Sequence, residues 1–147
     1  MTATAQETTT QVYSVFIKAT PEQVWEAITT PEFTQQYFFG SHVRVSAERY
    51  DGTDGEGTAL VTGPVFEYDP PRKLSHGWTA HYDPATAGEP ASRVTWELEP
   101  KDGGITKLTV VHDRLDASPA TAQSVAGGWS FVLSGLKTLL ETGEPLT

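Results

Sequence analysis

Trp129-Ser130-Phe131-Val132-Leu133-Ser134-Gly135-Leu136-Lys137-Thr138-Leu139-Leu140-Glu141-Thr142-Gly143 is the stretch on which the reading of this chain turns. Val125, Trp129, Val132, Leu133, Leu136 and Leu140 recur with the 3.6-residue period of a single helix face. Ser118-Pro119 supplies a start by cap chemistry, and Gly143 supplies the left-handed backbone that ends a helix. The pattern predicts one long C-terminal helix with a wide apolar stripe. Gly127-Gly128 interrupts it at a cost of about 2 kcal/mol relative to two alanines. Two readings of that pair stand open. It is a kink, hinge or close approach between helix and sheet, or the regular helix begins only at Trp129 after a separate short turn.

An apolar stripe needs a surface to cover it, and the preceding segments read as strands. Val94, Trp96 and Leu98 alternate with Arg93, Thr95, Glu97 and Glu99, the pattern of a half-buried strand. Leu108, Val110 and His112 share one face of the next strand, joined to it by Asp102-Gly103-Gly104. Leu74, His76, Trp78, Ala80 and Tyr82 alternate in the strand before, and Asp83 to Ser92 reads as a surface loop. Further upstream, Thr58 to Thr62 and Val65 to Tyr68 read as two strands. Asp69-Pro70-Pro71 then breaks the chain, because proline cannot donate to a ladder. Asp51-Gly52 and Asp54-Gly55 mark a turn-rich connection after Val43, Val45 and Ala47.

The chain opens with a different rhythm. Val12 to Ile17 is β-branched and aromatic and reads as the first strand. Thr20-Pro21-Glu22-Gln23 then combines a capping threonine, a proline suited to the first helical position and the glutamine of a capping box. Val24, Trp25 and Ile28 share a face of that helix. Thr30-Pro31-Glu32 repeats the signal for a second short helix carrying Phe33 and Tyr37. The expected architecture is α+β: about six to seven antiparallel strands curved around a long C-terminal helix, with two short helices after the first strand. Residues 1–11 are expected to form a flexible leader, and 12–145 a single domain.

Composition narrows the function classes. The 147 residues carry 19 Asp and Glu against 10 Lys and Arg, a formal charge of −9. That sign repels phosphate backbones, and no basic cluster stands out, so nucleic-acid binding is not expected. There is no cysteine, hence neither disulfides nor thiolate metal ligands. No basic-then-apolar secretory signal leads the chain, and no apolar run approaches the roughly 20 residues that span a bilayer. A cytoplasmic location without membrane insertion is the expectation. The four histidines have no short metal-ligand spacing, and no metal or cofactor is expected. No Gly-x-Ser-x-Gly elbow, phosphate loop or helical zinc motif appears either.

Four stretches in this order resemble a known superfamily. They are Pro21 to Ile28, Asp69 to Leu74 followed by Trp78, Leu108 to His112, and Gly128-Trp129 through Gly143. Together they resemble the START-like or SRPBCC superfamily, whose helix-grip fold is shared with the major birch pollen allergen. The resemblance is greatest to the family named for the C-terminal domain of the activator of heat-shock protein 90 ATPase. It runs from about Val12 to Pro145 and implies a sheet gripping the last helix around an apolar pocket. The superfamily includes hydrophobic ligand carriers, polyketide cyclases, natural-product self-resistance proteins and stress-response chaperone regulators, so the fold leaves function open.

The residues expected to face such a pocket are Leu60, Phe66, His76, Trp78, Trp96, Val110 and His112 from the sheet. Trp129, Leu133 and Leu136 come from the helix, and Phe33, Tyr37 and Phe39 from the short helices. Val45, Leu74, Leu108, Val132 and Phe38 belong to the same inward set. Aromatic lining of this kind suits an apolar or polycyclic small molecule, while the competing reading is a core filled by its own side chains. His76 and His112 are the inward polar groups. Each reads first as a core histidine bonded to a backbone carbonyl, and otherwise as a ligand contact or proton carrier. Glu67 and Arg72 read as surface charges rather than polar anchors. The ranking that follows is a small-molecule binder, then a chaperone-interacting domain, then a cyclase- or aromatase-like enzyme or self-resistance protein.

Overall fold

A computed structural model describes residues 10–147; the expected leader lies outside the described residues except for its last two positions. Gln11, expected within that leader, instead opens the first strand and is buried, its Nε2 donating to the carbonyl of Ala122 at 3.0 Å.

In chain order the elements are β1 (Gln11–Ile17), α1 (Pro21–Thr29), α2 (Pro31–Tyr37), β2 (His42–Val45), β3 (Arg49–Thr53), β4 (Ala59–Asp69) and β5 (Lys73–Ala80). They continue with α3 (Pro84–Ala87), β6 (Ser92–Lys101), β7 (Ile105–Asp113), α4 (Pro119–Val125) and α5 (Gly128–Thr142). The strands form one antiparallel sheet in the order β1-β7-β6-β5-β4-β3-β2. α1 and α2 therefore carry the chain from one edge of the sheet to the other. α5 lies on the inner face and packs Trp129, Val132, Leu133, Leu136 and Leu139 into the core. This is the α+β helix-grip architecture that the punctuation predicts.

N-cap side chains start α1 and α3 but not α2, α4 or α5. At α1 the capping box forms in full, the backbone N–H of Gln23 donating to Thr20 Oγ1 and that of Thr20 to Gln23 Oε1. Thr30 does not cap α2; its hydroxyl donates back to the Glu26 carbonyl at 2.7 Å. Ser118 likewise does not cap α4, because its hydroxyl donates to Pro90 O. The α3–β6 loop supplies the cap instead. The Glu89 carboxylate accepts from the backbone N–H groups of Ala120 and Thr121 and from the Thr121 hydroxyl. Desolvation works against this carboxylate, but those bonds outweigh it and hold its pKa below the usual range.

The long C-terminal helix is α5, and of the two readings of Gly127-Gly128 the structure takes the second in outline: the separate short helix α4 ends at Val125, Gly127 is the N-cap of α5 and Gly128 its first residue, one position before Trp129. Three expectations need correction. Asp51-Gly52 is not a turn but the middle of β3, paired with Thr62 and Val61. Glycine suits that strand position because a Cβ there would lie 3.0 Å from Ser41 Oγ. The turn is at Asp54, whose Oδ1 accepts from the N–H groups of Glu56 and Thr58. The two strands expected over 58–68 are one, β4 (Ala59–Asp69), with a register shift between Val65 and Glu67. Finally, Asp83 to Ser92 contains the short helix α3 and ends in Ser92, which is buried at the start of β6.

Candidate functional site

The strand register dictates what meets on the inner face. His76 pairs with Val94, which pairs with His112; one row along, Leu74, Trp96 and Val110 stand side by side. α5 lowers Trp129 onto this surface. The indole N–H of Trp96 donates to His76 Nε2 at 3.0 Å, and that of Trp129 donates to His112 Nδ1 at 3.1 Å. Each bond fixes a tautomer, because a nitrogen that accepts carries no proton. His76 therefore holds its proton on Nδ1 and donates to Gly77 O at 2.8 Å. His112 holds its proton on Nε2 and donates to Ser92 Oγ at 2.7 Å. Tyr50 of β3 stacks on His76 with ring centroids 3.8 Å apart and planes 6° from parallel.

Both imidazoles are fully buried and neutral. Desolvation pulls the His76 pKa down to about 4 against the smaller opposing effect of the Gly77 carbonyl. Desolvation, then the nearby His76, pulls His112 down to about 3 against the opposing influence of Asp113. With both ring nitrogens engaged, neither histidine has a lone pair or proton free for a ligand.

A cavity of about 400 Å³ opens beside this layer. β3, β4 and β5 contribute Tyr50, Leu60, Val61 and Trp78. Phe38, Phe39 and Ser41 come from the segment after α2, and Tyr82 from the segment after β5. Ser124, Val125, Gly128, Trp129 and Val132 come from the α4–α5 junction. The helix break thus has a geometric consequence. α4 and α5 part where the cavity lies, and Gly128 at the start of α5 faces the Phe39 ring, which would be in ordinary contact with a Cβ there, 3.8 Å away. Six of the lining residues are aromatic and none is charged. Tyr82 and Ser124 join their hydroxyls across the wall at 2.9 Å.

Of the expected site residues, Phe39, Leu60, Trp78 and Trp129 line the cavity. His76, Trp96, Val110, His112, Leu133 and Leu136 are instead buried in solid core, the filled reading of those positions. Tyr37 is core as well, its hydroxyl donating to Ala27 O at 2.7 Å, and Phe33 packs partly buried against the core. Phe66 faces outward, 55% exposed beneath the guanidinium of Arg114. The reason is the register shift in β4: Val65 pairs with His76 and Glu67 with Ser75, so Phe66 is the extra residue between them and is left outside the inward alternation. Glu67 and Arg72 pair with Lys73 and Asp69 on the surface.

Tyr50 is the main lining residue that the sequence did not single out. It sits in a segment that looks like a turn, and only the pairing of β3 with β4 turns its ring inward. Among the described residues, no group of His, Asp and Glu is placed to hold a metal ion, and no helix is long and apolar enough to cross a membrane.

A curved antiparallel sheet gripping a C-terminal helix beside an aromatic cavity defines a START-like, SRPBCC domain. The chain belongs to the family described as Activator of Hsp90 ATPase homolog 1-like protein, whose model matches residues 18–141. Among solved structures it is similar to protein MLL2253 from Mesorhizobium loti, at 26% identity and TM-score 0.70, covering 90% of this chain and 96% of that one. It has the fold of the Aha1 dimer from Colwellia psychrerythraea, at 17% identity and TM-score 0.70, covering 91% and 97%. It also shares the fold of DynU16, a putative protein in the dynemicin biosynthetic locus, at 24% identity and TM-score 0.73, covering 93% of this chain and 49% of that one. No curated protein matches it significantly in sequence.

Proposed function

We propose that this protein binds a flat, apolar small molecule in the cavity between β3–β5 and the α4–α5 junction. The observation that carries the reading is a void of about 400 Å³ with aromatic walls and no charged lining residue. Natural interiors are close-packed, so a void of this size within reach of solvent supports an occupant. Binding is favoured over acid–base turnover because His76 and His112, the candidate proton carriers, do not border the cavity and have both ring nitrogens engaged.

The test is an amide-resolved NMR titration with fluorene, a planar three-ring hydrocarbon. The expected result is shifts grouped on Val61, Trp78, Val125, Gly128 and Val132, abolished in Leu60→Trp, which fills the cavity. Shifts absent from those residues would overturn the reading. A second reading, a domain that regulates a chaperone ATPase, is favoured by the family description. It predicts that the purified protein changes the ATP turnover of heat-shock protein 90.

A further inference from the structure

Three tryptophans crowd the inner face, and two of them have partners: Trp96 donates to His76, and Trp129 to His112. The third does not. Trp78 is 4% exposed, and its Nε1–H is, among the described residues, the buried side-chain group left without a hydrogen-bond partner. Its ring is part of the cavity wall. We infer that the cavity takes a planar aromatic ligand carrying a neutral acceptor oxygen, of the aryl ketone or quinone class, and that this oxygen accepts the Nε1–H of Trp78. The inference rests on the reading of the cavity as a binding site and adds the chemistry of what enters it.

Each part of that description has a cause. An indole N–H only donates, so the ligand must accept. The oxygen must be neutral, because no lining residue is cationic and a carboxylate would lose its hydration without a counter-charge. A flat frame suits the aromatic wall, where the Phe38 and Trp129 rings stand 6.4 and 5.4 Å from that of Trp78, centroid to centroid. The Nε1 atom is covered in the structure, so the oxygen reaches it by a small shift of these neighbouring rings. Tyr50, which also lines the cavity, stands with its ring centroid 6.3 Å from that of Trp78. Its hydroxyl bonds to no other described residue and is a second polar group for an oxygenated ligand. A hydrocarbon would fill the same space but leave the Trp78 donor unpaired.

Fluorene and 9-fluorenone share one three-ring frame and differ by a methylene against a carbonyl, which isolates the acceptor. Both are titrated into the wild-type protein while the indole N–H resonances are followed by NMR. The expected result is that 9-fluorenone binds about tenfold more tightly, the step of one well-made buried hydrogen bond. The Trp78 Nε1–H resonance should move downfield with the ketone alone. Trp78→Phe should bring the two affinities together; should that variant fail to fold, the wild-type pair decides. Equal affinities with an unmoved Trp78 Nε1–H would overturn this inference while leaving the cavity as a binding site. Binding of neither compound would overturn both.

Discussion

The indole N–H of Trp129, on α5, donates to Nδ1 of His112, on β7, at 3.1 Å. The bond ties the gripped helix to the sheet and continues through His112 Nε2–H to Ser92 Oγ at 2.7 Å. Most of the helix–sheet contact is apolar packing and is tolerant of small shifts, whereas this link has a defined direction and register.

A double-mutant cycle measures that link. Trp129→Phe leaves a buried imidazole acceptor unpaired, and His112→Leu leaves the Trp129 N–H unpaired and the Ser92 hydroxyl with only its long bond to the Trp78 carbonyl, 3.4 Å. Each change is expected to cost about 2–4 kcal/mol from lost bonding and packing. The double variant removes both partners, so its cost should fall short of the sum by about 1–2 kcal/mol. Urea denaturation of the four proteins gives the answer, and strict additivity would mean that the bond contributes nothing beyond packing.

The buried histidines also set a pH dependence. Their folded pKa values, about 4 for His76 and about 3 for His112, lie below the unfolded value of about 6.5. Below that unfolded value the unfolded chain takes up protons that the folded chain refuses. Their contribution to stability is therefore complete above about pH 6.5 and is lost as the pH falls toward the folded values. The loss is at most about 1.4 kcal/mol per pH unit for each histidine. Denaturation midpoints between pH 7.5 and 4.5 should decline with a slope that His112→Leu reduces. Imidazole nitrogen NMR at pH 5.5 should show both rings neutral, His76 protonated on Nδ1 and His112 on Nε2. A charged ring at that pH would contradict the assignment.

Much of the fold is written locally. Thr20-Pro21 with Gln23 starts α1, Gly143 with φ 81° ends α5, and the alternation of β6 and β7 places Val94, Trp96, Leu108 and Val110 inside. β4 was not legible because apolar residues occupy both of its faces, so its phase is decided by pairing with β3 and β5. The site was less legible than the fold for a related reason. Periodicity says that a ring points inward, but not whether another ring meets it there. Trp96 meets His76, whereas Trp78 borders a void, and the difference arises from the parting of α4 and α5. The histidine–tryptophan pairs could not be foreseen because they join strands through register and helix position.

Close backbone approach makes Gly63 on β4 a sharp stability probe. A Cβ at Gly63 would stand 2.1 Å from the carbonyl oxygen of Gly77 on β5, a position that only backbone displacement can relieve. Gly63→Ala is expected to destabilise by about 3 kcal/mol. Gly128→Ala, whose nearest neighbour would be the Phe39 ring at 3.8 Å, is expected to change stability by no more than about 1 kcal/mol. Comparable thermal midpoints for the two variants would show that β4 and β5 separate more easily than their packing implies.

Phe39 is expected to control access to the cavity. Its backbone is left-handed, φ 53°, and its ring is 66% exposed, stacked on Phe131 at 5.5 Å while bordering the cavity. A non-glycine residue in that region costs on the order of 1 kcal/mol, which the ring stacking has to offset. Phe39→Gly removes both the strain and the ring, so stability should stay within about 1 kcal/mol of wild type. The mouth should widen, and fluorene should leave about tenfold faster, because changes at a binding surface act mostly on dissociation. Phe39→Ala keeps the strained backbone and loses the ring, so it should match the faster release while being less stable than Phe39→Gly. Line-shape analysis of the Gly128 amide during titration yields the release rate. Unchanged release in both variants would place the route to the cavity elsewhere, past Tyr82 and Ser124.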